Sequence, residues 1–192
     1  MGPVAQNLDQ LYTYGDYVTW DDTERWELIG GIPYNMTPAP SRVHQRIAGN
    51  IYRKIADFLD NSPCEVYIAP FDVRLPVADE PNNEITTVVQ PDIVVICDES
   101  KLDEAGCKGA PDLIVEILSP STARKDVKEK FNLYENRGVR EYWIVDPEAK
   151  TIMVFHLDQT GSYGRPSVYA GEEKVPVSVL SGLELDLTAV FS

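Results

Sequence analysis

Two carboxylates stand inside stretches of this chain that otherwise read as the apolar centre of a sheet. Leu113-Ile114-Val115-Glu116-Ile117-Leu118 and Pro91-Asp92-Ile93-Val94-Val95-Ile96-Cys97 are dense in β-branched residues, the pattern of central strands covered on both faces. Burying a carboxylate in such a strand is costly unless it is paired or binds a metal. If the two strands are neighbours, Asp92 and Glu116 face one cleft and can share a cation. Hard oxygen ligands of that kind suit Mg²⁺ or Mn²⁺, completed by water and substrate phosphate. The plainer alternative makes Asp92 a turn residue at a strand start and Glu116 a member of a buried ion pair.

The elements around these strands give an α/β, mixed α+β architecture. Arg25–Ile29 and Ile32–Met36 flank Gly30-Gly31, a hairpin signal, and a weak helix signal covers Asn7 to Tyr14. Thr37 to Ser41 breaks the pattern, with Ser41 placed as a helix N-cap. Ile47, Ile51, Ile55 and Leu59, with Phe58 alongside, mark a helix that packs one face on a sheet. Strands follow at Glu65–Ala69 and Phe71–Leu75, then a solvated acidic loop from Val77 to Asn83. A helix over Ala123–Asn136 ends at Gly138, and Glu141–Val145 returns to strand. From Ile152 an outer meander runs to the C-terminus. Helices on a central mixed β-sheet are the expected result, in a single domain spanning 1–192, with a core at 26–147 and a C-terminal β meander at 150–192.

Phosphodiester chemistry beside a metal also needs a group to orient water and stabilise phosphate charge. Lys125, Lys128 and Lys130 lie on the helix after Glu116. On a helical wheel Val127, Phe131 and Tyr134 face the sheet, and Lys130 alone borders that stripe. It can reach back to Glu116, or equally snorkel beside the core.

With these residues in view, the chain resembles the PD-(D/E)XK nuclease superfamily: Pro91-Asp92, Glu116 24 positions on, then a lysine. One branch agrees over more of the chain. Trp26-Glu27-Leu28-Ile29-Gly30-Gly31-Ile32, Met36-Thr37-Pro38 and His44 look like the Uma-two family of restriction-endonuclease-like proteins. So do Val115 to Thr122, Lys130-Phe131-Asn132-Leu133-Tyr134 and Gly138 to Pro147. The resemblance implies a restriction endonuclease-like fold, a metal held by Asp92 and Glu116, and hydrolysis of DNA by an activated water. It departs at Leu118, where the superfamily carries its lysine; Lys130 is the matching residue here. Glu27 matches the acidic residue of the family's early hairpin and would add a third carboxylate, unless it is a surface residue of that hairpin. By analogy with nucleases that cut both strands, a homodimer is expected.

Other residues stay as secondary candidates. His44 falls within the apolar stripe of its helix and reads first as a core or capping histidine. Asp112 shares strand parity with Glu116 and could replace Asp92, although its place beside Pro111 suits a turn. Gln90 and Ser119 adjoin the site and could bind phosphate or water. His156 sits in the outer meander, away from it.

The composition pulls against a nucleic-acid partner. The net charge is −14, from 17 Lys+Arg against 31 Asp+Glu, whereas nonspecific nucleic-acid binding rests on cationic contacts to phosphate. A fold retained as a noncutting binding or regulatory module is therefore the competing reading, and RNA or a small phosphodiester the competing substrates. No apolar run nears the roughly 18 residues that span a bilayer, and the N-terminus lacks a signal-peptide pattern, so a cytoplasmic protein is expected. Cys64, Cys97 and Cys107, an odd set without metal-ligand spacing, read as structural thiols.

Overall fold

The two acid-bearing runs are neighbouring strands. In the computed structural model, which describes residues 10–20, 24–36, 39–119 and 126–192, β6 (Ile93–Ile96) pairs antiparallel with β9 (Leu113–Ile117), Ile93 opposite Val115. β9 runs parallel to β10 (Glu141–Asp146). A parallel pair needs a crossover, and this one contains a π turn (Asp126–Lys130) leading into helix α3 (Phe131–Arg137). The continuous α-helix expected over Ala123–Asn136 is thus corrected: 126–130 form the π turn and the α-helix begins at Phe131, while 120–125, with Lys125, lie outside the described residues.

Among the described residues the strands form two six-stranded sheets and one hairpin pair. The larger-stranded sheet runs β12-β11-β10-β9-β6-β3, with β3 at Glu65–Ile68, β11 at Thr151–His156 and β12 at Ser167–Ala170. The second runs β2-β1-β5-β4-β8-β7, with β1 at Trp26–Ile29, β2 at Ile32–Asn35, β4 at Val73–Arg74, β5 at Val88–Val89, β7 at Leu102–Asp103 and β8 at Gly106–Lys108. The C-terminal meander continues as β11 and β12 and then leaves the sheet as the β13–β14 pair (Lys174–Pro176, Glu184–Asp186) and helix α4 (Leu187–Val190).

Helix α2 (Arg42–Phe58) begins where expected, with Ser41 Oγ accepting from the His44 backbone amide. Its residues Ile47, Ile51 and Ile55 are buried against Ile93, Val95, Val115 and Ile117 on one sheet face. The opposite parity, Val94, Ile114 and Ile144, packs with Tyr134 of α3. Both faces are covered, which is why these strands carry so little polarity. Phe58 is a correction: at the last residue of α2 it is 43% exposed, not packed. At the hairpin, Gly30 and Gly31 both take positive φ (59° and 81°), the turn geometry that fits strand twist and favours glycine.

The chain passes between the sheets twice at nearly the same place. β3 leads through the cis Ala69–Pro70 bond to β4, and β5 leads through Gln90-Pro91-Asp92 to β6. The crossings touch, Ala69 N donating to Asp92 O at 3.0 Å. This seam positions the site.

The expectation of three structural thiols is also corrected. Cys64 and Cys97 extend the β3–β6 register, in which Glu65 opposes Ile96, by one residue, and they are disulfide-bonded; only Cys107 is free, buried beneath the second sheet's edge. An odd count says nothing about two cysteines that a strand register brings face to face. By closing a loop of separation 33, the bond is expected to contribute about 3–4 kcal/mol by loop-entropy arithmetic. Denaturant melts with and without reductant check this; identical midpoints would remove it.

Candidate active site

Glu116 occupies the fourth position of β9, on the face that carries Ile114, and is buried. Continuing the β6–β9 register one residue past Ile93 sets Asp92 opposite it, so the two carboxylates start from adjacent backbone on one face. Asp92 Oδ2 accepts from the Ile117 amide at 2.7 Å and lies 3.2 Å from His44 Nε2. Its Oδ1 takes no hydrogen bond among the described residues. Among the described residues, no arginine forms an ion pair with either carboxylate.

Lys130 is the pivot. Its ammonium lies 2.7 Å from Glu116 Oε1 and 2.8 Å from Glu27 Oε1, with all three side chains almost wholly buried. Glu27 comes from β1 in the other sheet, where Gln90 N also donates to its Oε1 at 2.9 Å. The expectation that Lys130 reaches Glu116 agrees with this geometry; Lys128 is exposed. Glu27 is a buried member of the cluster, not a surface hairpin residue.

Sequence reasoning missed a fifth member. Tyr134 donates its hydroxyl to Glu116 Oε1 at 2.7 Å. Burial above all, then the charges of Glu116 and Glu27, hold its hydroxyl well above the usual tyrosine range, so it remains a donor. Tyr134 had a visible place on the inward stripe of its helix, but a stripe position reads as packing and hides the phenol's use.

The remaining candidates separate. Gln90 is an organiser: its Oε1 accepts from Arg25 Nη2 at 2.8 Å, and its Nε2 donates to Asp72 Oδ1 at 2.8 Å and to Tyr17 OH at 3.1 Å. Asp112 is held away by Arg140 (2.7 Å) and the Cys97 amide (2.8 Å), the turn-side role suggested by its position. Ser119 is half-buried two residues past β9, and His156 is exposed on β11. Asp72, Tyr17 and Arg25 belong to the polar network yet leave no local signal, because each is placed by contacts far along the chain.

At this end of the sheet the carboxylates of Glu27 and Glu116 share the Lys130 ammonium, and that of Asp92 lies beside the His44 imidazole. Carboxylates taken out of water are costly unless paired or bound to a metal, so a cation can complement the lysine here. The donor set is hard oxygen, as Mg²⁺ or Mn²⁺ prefer. Among the described residues, however, no three His, Cys, Asp or Glu side chains gather closely enough to hold an ion alone. A cation here fits only with two carboxylates, Asp92 and Glu116, and the balance from water and substrate.

A mixed sheet whose strands and crossover bring buried glutamates onto one lysine has the restriction endonuclease-like fold. The fold comparison agrees: the crystal structure of "a putative nuclease belonging to DUF820" from Anabaena variabilis superposes with a TM-score of 0.73 at 21% identity, covering 93% of this chain and 97% of that one. The family model described as "Uma2: Putative restriction endonuclease" matches residues 14–188, and the chain belongs to that family. Two Synechocystis relatives, the uncharacterized proteins slr1290 and sll1609, are each 28% identical, over 77% and 71% of this chain and 75% and 76% of their own lengths.

Proposed function

We propose that this chain is a divalent-metal-dependent endonuclease that hydrolyses DNA phosphodiester bonds. The observation that carries the reading is the buried Lys130 ammonium shared between Glu27 and Glu116, with Asp92 on the neighbouring strand opposite Glu116. Asp92 and Glu116 would hold Mg²⁺ or Mn²⁺, which supplies Lewis-acid stabilisation of the phosphoryl oxygens and a more acidic bound water. Lys130 stands where it can donate to the attacking water or to a phosphate oxygen. Tyr134 and Gln90 fix the orientations of Glu116 and Glu27 through the bonds they donate. Burial of the cluster excludes bulk solvent, which strengthens each of these interactions.

A second copy would let both DNA strands be cut. We place its contact on edge strand β12, where Val168 is 57% exposed and unpaired backbone invites another strand; light scattering tests it, a monomer at high concentration counting against it. No helix among the described residues is long and apolar enough to cross a membrane. We assign the activity to the cytoplasm, where reduction would leave Cys64 and Cys97 as facing thiols.

The competing reading is a nuclease-fold module that does not cut. It is favoured by one observation, that Lys130 already pairs with Glu27 and with the proposed ligand Glu116, and so can stand in for a metal. Supercoiled plasmid incubated with Mg²⁺ or Mn²⁺ separates the two. Nicking that disappears on chelation, and in Glu116→Ala, supports the enzyme; intact plasmid under every divalent ion supports the module.

A further inference from the structure

A cavity of about 520 Å³ opens beside the seam, lined by Tyr67, Pro70, Phe71, Asp72, Gln90, Leu102, Asp103, Glu104, Ala105 and Gly106. One wall is aromatic: the Tyr67 and Phe71 rings stack with centroids 4.2 Å apart and planes at 10°. The opposite rim comes from the β7–β8 turn, which lies close only because residue 106 is glycine. Its φ is +120°, and a Cβ there would sit 2.3 Å from the Asp72 carbonyl oxygen.

The polar lining is almost all acceptor. Asp72, Asp103 and Glu104 supply carboxylates, and among the described residues no lysine or arginine lines the cavity. Asp103 is occupied by Arg74. Asp72 Oδ1 accepts from both Tyr17 and Gln90, while its Oδ2 takes no hydrogen bond among the described residues. Burial raises the Asp72 carboxyl above its usual range, against the opposing pull of these donors. Such a site repels phosphate and favours a flat group that stacks and donates N–H. It also adjoins the carboxylate cluster, because the same Gln90 binds Asp72 through its side chain and Glu27 through its backbone.

Resting on the nuclease reading, we infer that this cavity is a nucleobase subsite that takes an unpaired base bearing an exocyclic amino group, stacked on the Tyr67–Phe71 wall with the amine donating to Asp72. Carboxylates accept from the cytosine amino group, whereas thymine offers an oxygen at the same position. A base must leave the duplex stack to enter such a pocket, so the substrate is single-stranded or locally opened nucleic acid. The protein's acidity becomes consistent with a nucleic-acid substrate on this view: a chain of net charge −14 gains little from phosphate contacts, and base stacking is the contribution that does not depend on them.

The test is fluorescence anisotropy on dye-labelled oligo-dC and oligo-dT of about ten nucleotides, within the usual span of single-strand sites, in chelator so that no cleavage occurs. Oligo-dC is expected to bind about tenfold tighter than oligo-dT. Asp72→Asn keeps an oxygen for Tyr17 and Gln90 but turns a donor toward the base, and should erase that preference. Phe71→Ala should weaken oligo-dC about tenfold, with thermal melting confirming that each variant is folded. Equal affinity for the two oligonucleotides, a preference that survives Asp72→Asn, or displacement of oligo-dC by arginine methyl ester, which marks a cation pocket instead, would each overturn the inference. Base preference without cleavage in a separate Mg²⁺ assay would count against the nuclease reading alone.

Discussion

Lys130→Met is expected to lower unfolding free energy by about 3–5 kcal/mol, the cost of removing one partner from a buried ion pair. The methionine fills similar space but deprives Glu27 and Glu116, both nearly inaccessible, of the ammonium they share. Adding Glu27→Gln and Glu116→Gln to the same chain should recover most of the loss, since the damage lies in stranded charge and not in missing contact. Urea denaturation of the single and triple variants measures both. A deficit under about 1 kcal/mol for Lys130→Met would mean that solvent or a proton relieves the carboxylates, and that the cluster is looser than its burial indicates. The same variant gives the metal a vacancy to fill, so Mg²⁺ should stabilise it more than it stabilises the parent.

Asp92→Asn is expected to act on the opposite quantity. The amide oxygen still accepts from the Ile117 backbone N–H, so stability should stay within about 1 kcal/mol. The charge is gone, and with it one of the two oxygen donors that a divalent ion requires here. Plasmid nicking should fall by at least about 10²–10³-fold, the scale on which losing one preorganised electrostatic group acts. Calorimetric titration with Mg²⁺ or Mn²⁺ should show weakened binding in parallel. Cleavage near the parental rate in a folded Asp92→Asn protein would remove Asp92 from the reaction and leave the fold assignment untouched.

Legibility of the site from sequence followed the local rules that generate each part. Glu116 and Asp92 could be read because a charge inside a β-branched run violates an otherwise consistent pattern, and the antiparallel β6–β9 pairing then aligned them. Lys130 could be read because helical periodicity gives a direction, although the π turn ending at Lys130 replaces the regular helix on which that direction was drawn. Glu27 was ambiguous: a hairpin residue is buried or exposed according to what the hairpin joins, here β5, which makes it part of the second sheet. That second sheet had no signature of its own, since strands such as Val73–Arg74 and Val88–Val89 span two residues each. The Gln90 network and the Cys64–Cys97 bond depend on register across distant segments, which no local pattern encodes.

The seam has a consequence for how activity arises. Glu27 belongs to one sheet, Asp92 and Glu116 to the other, and Lys130 to the crossover that closes over both. Neither half can assemble the charge constellation by itself, so on the nuclease reading competence requires both sheets and the crossover together. On the same reading a fragment carrying either half would be chemically inert however well it folds, and turnover would report complete tertiary closure.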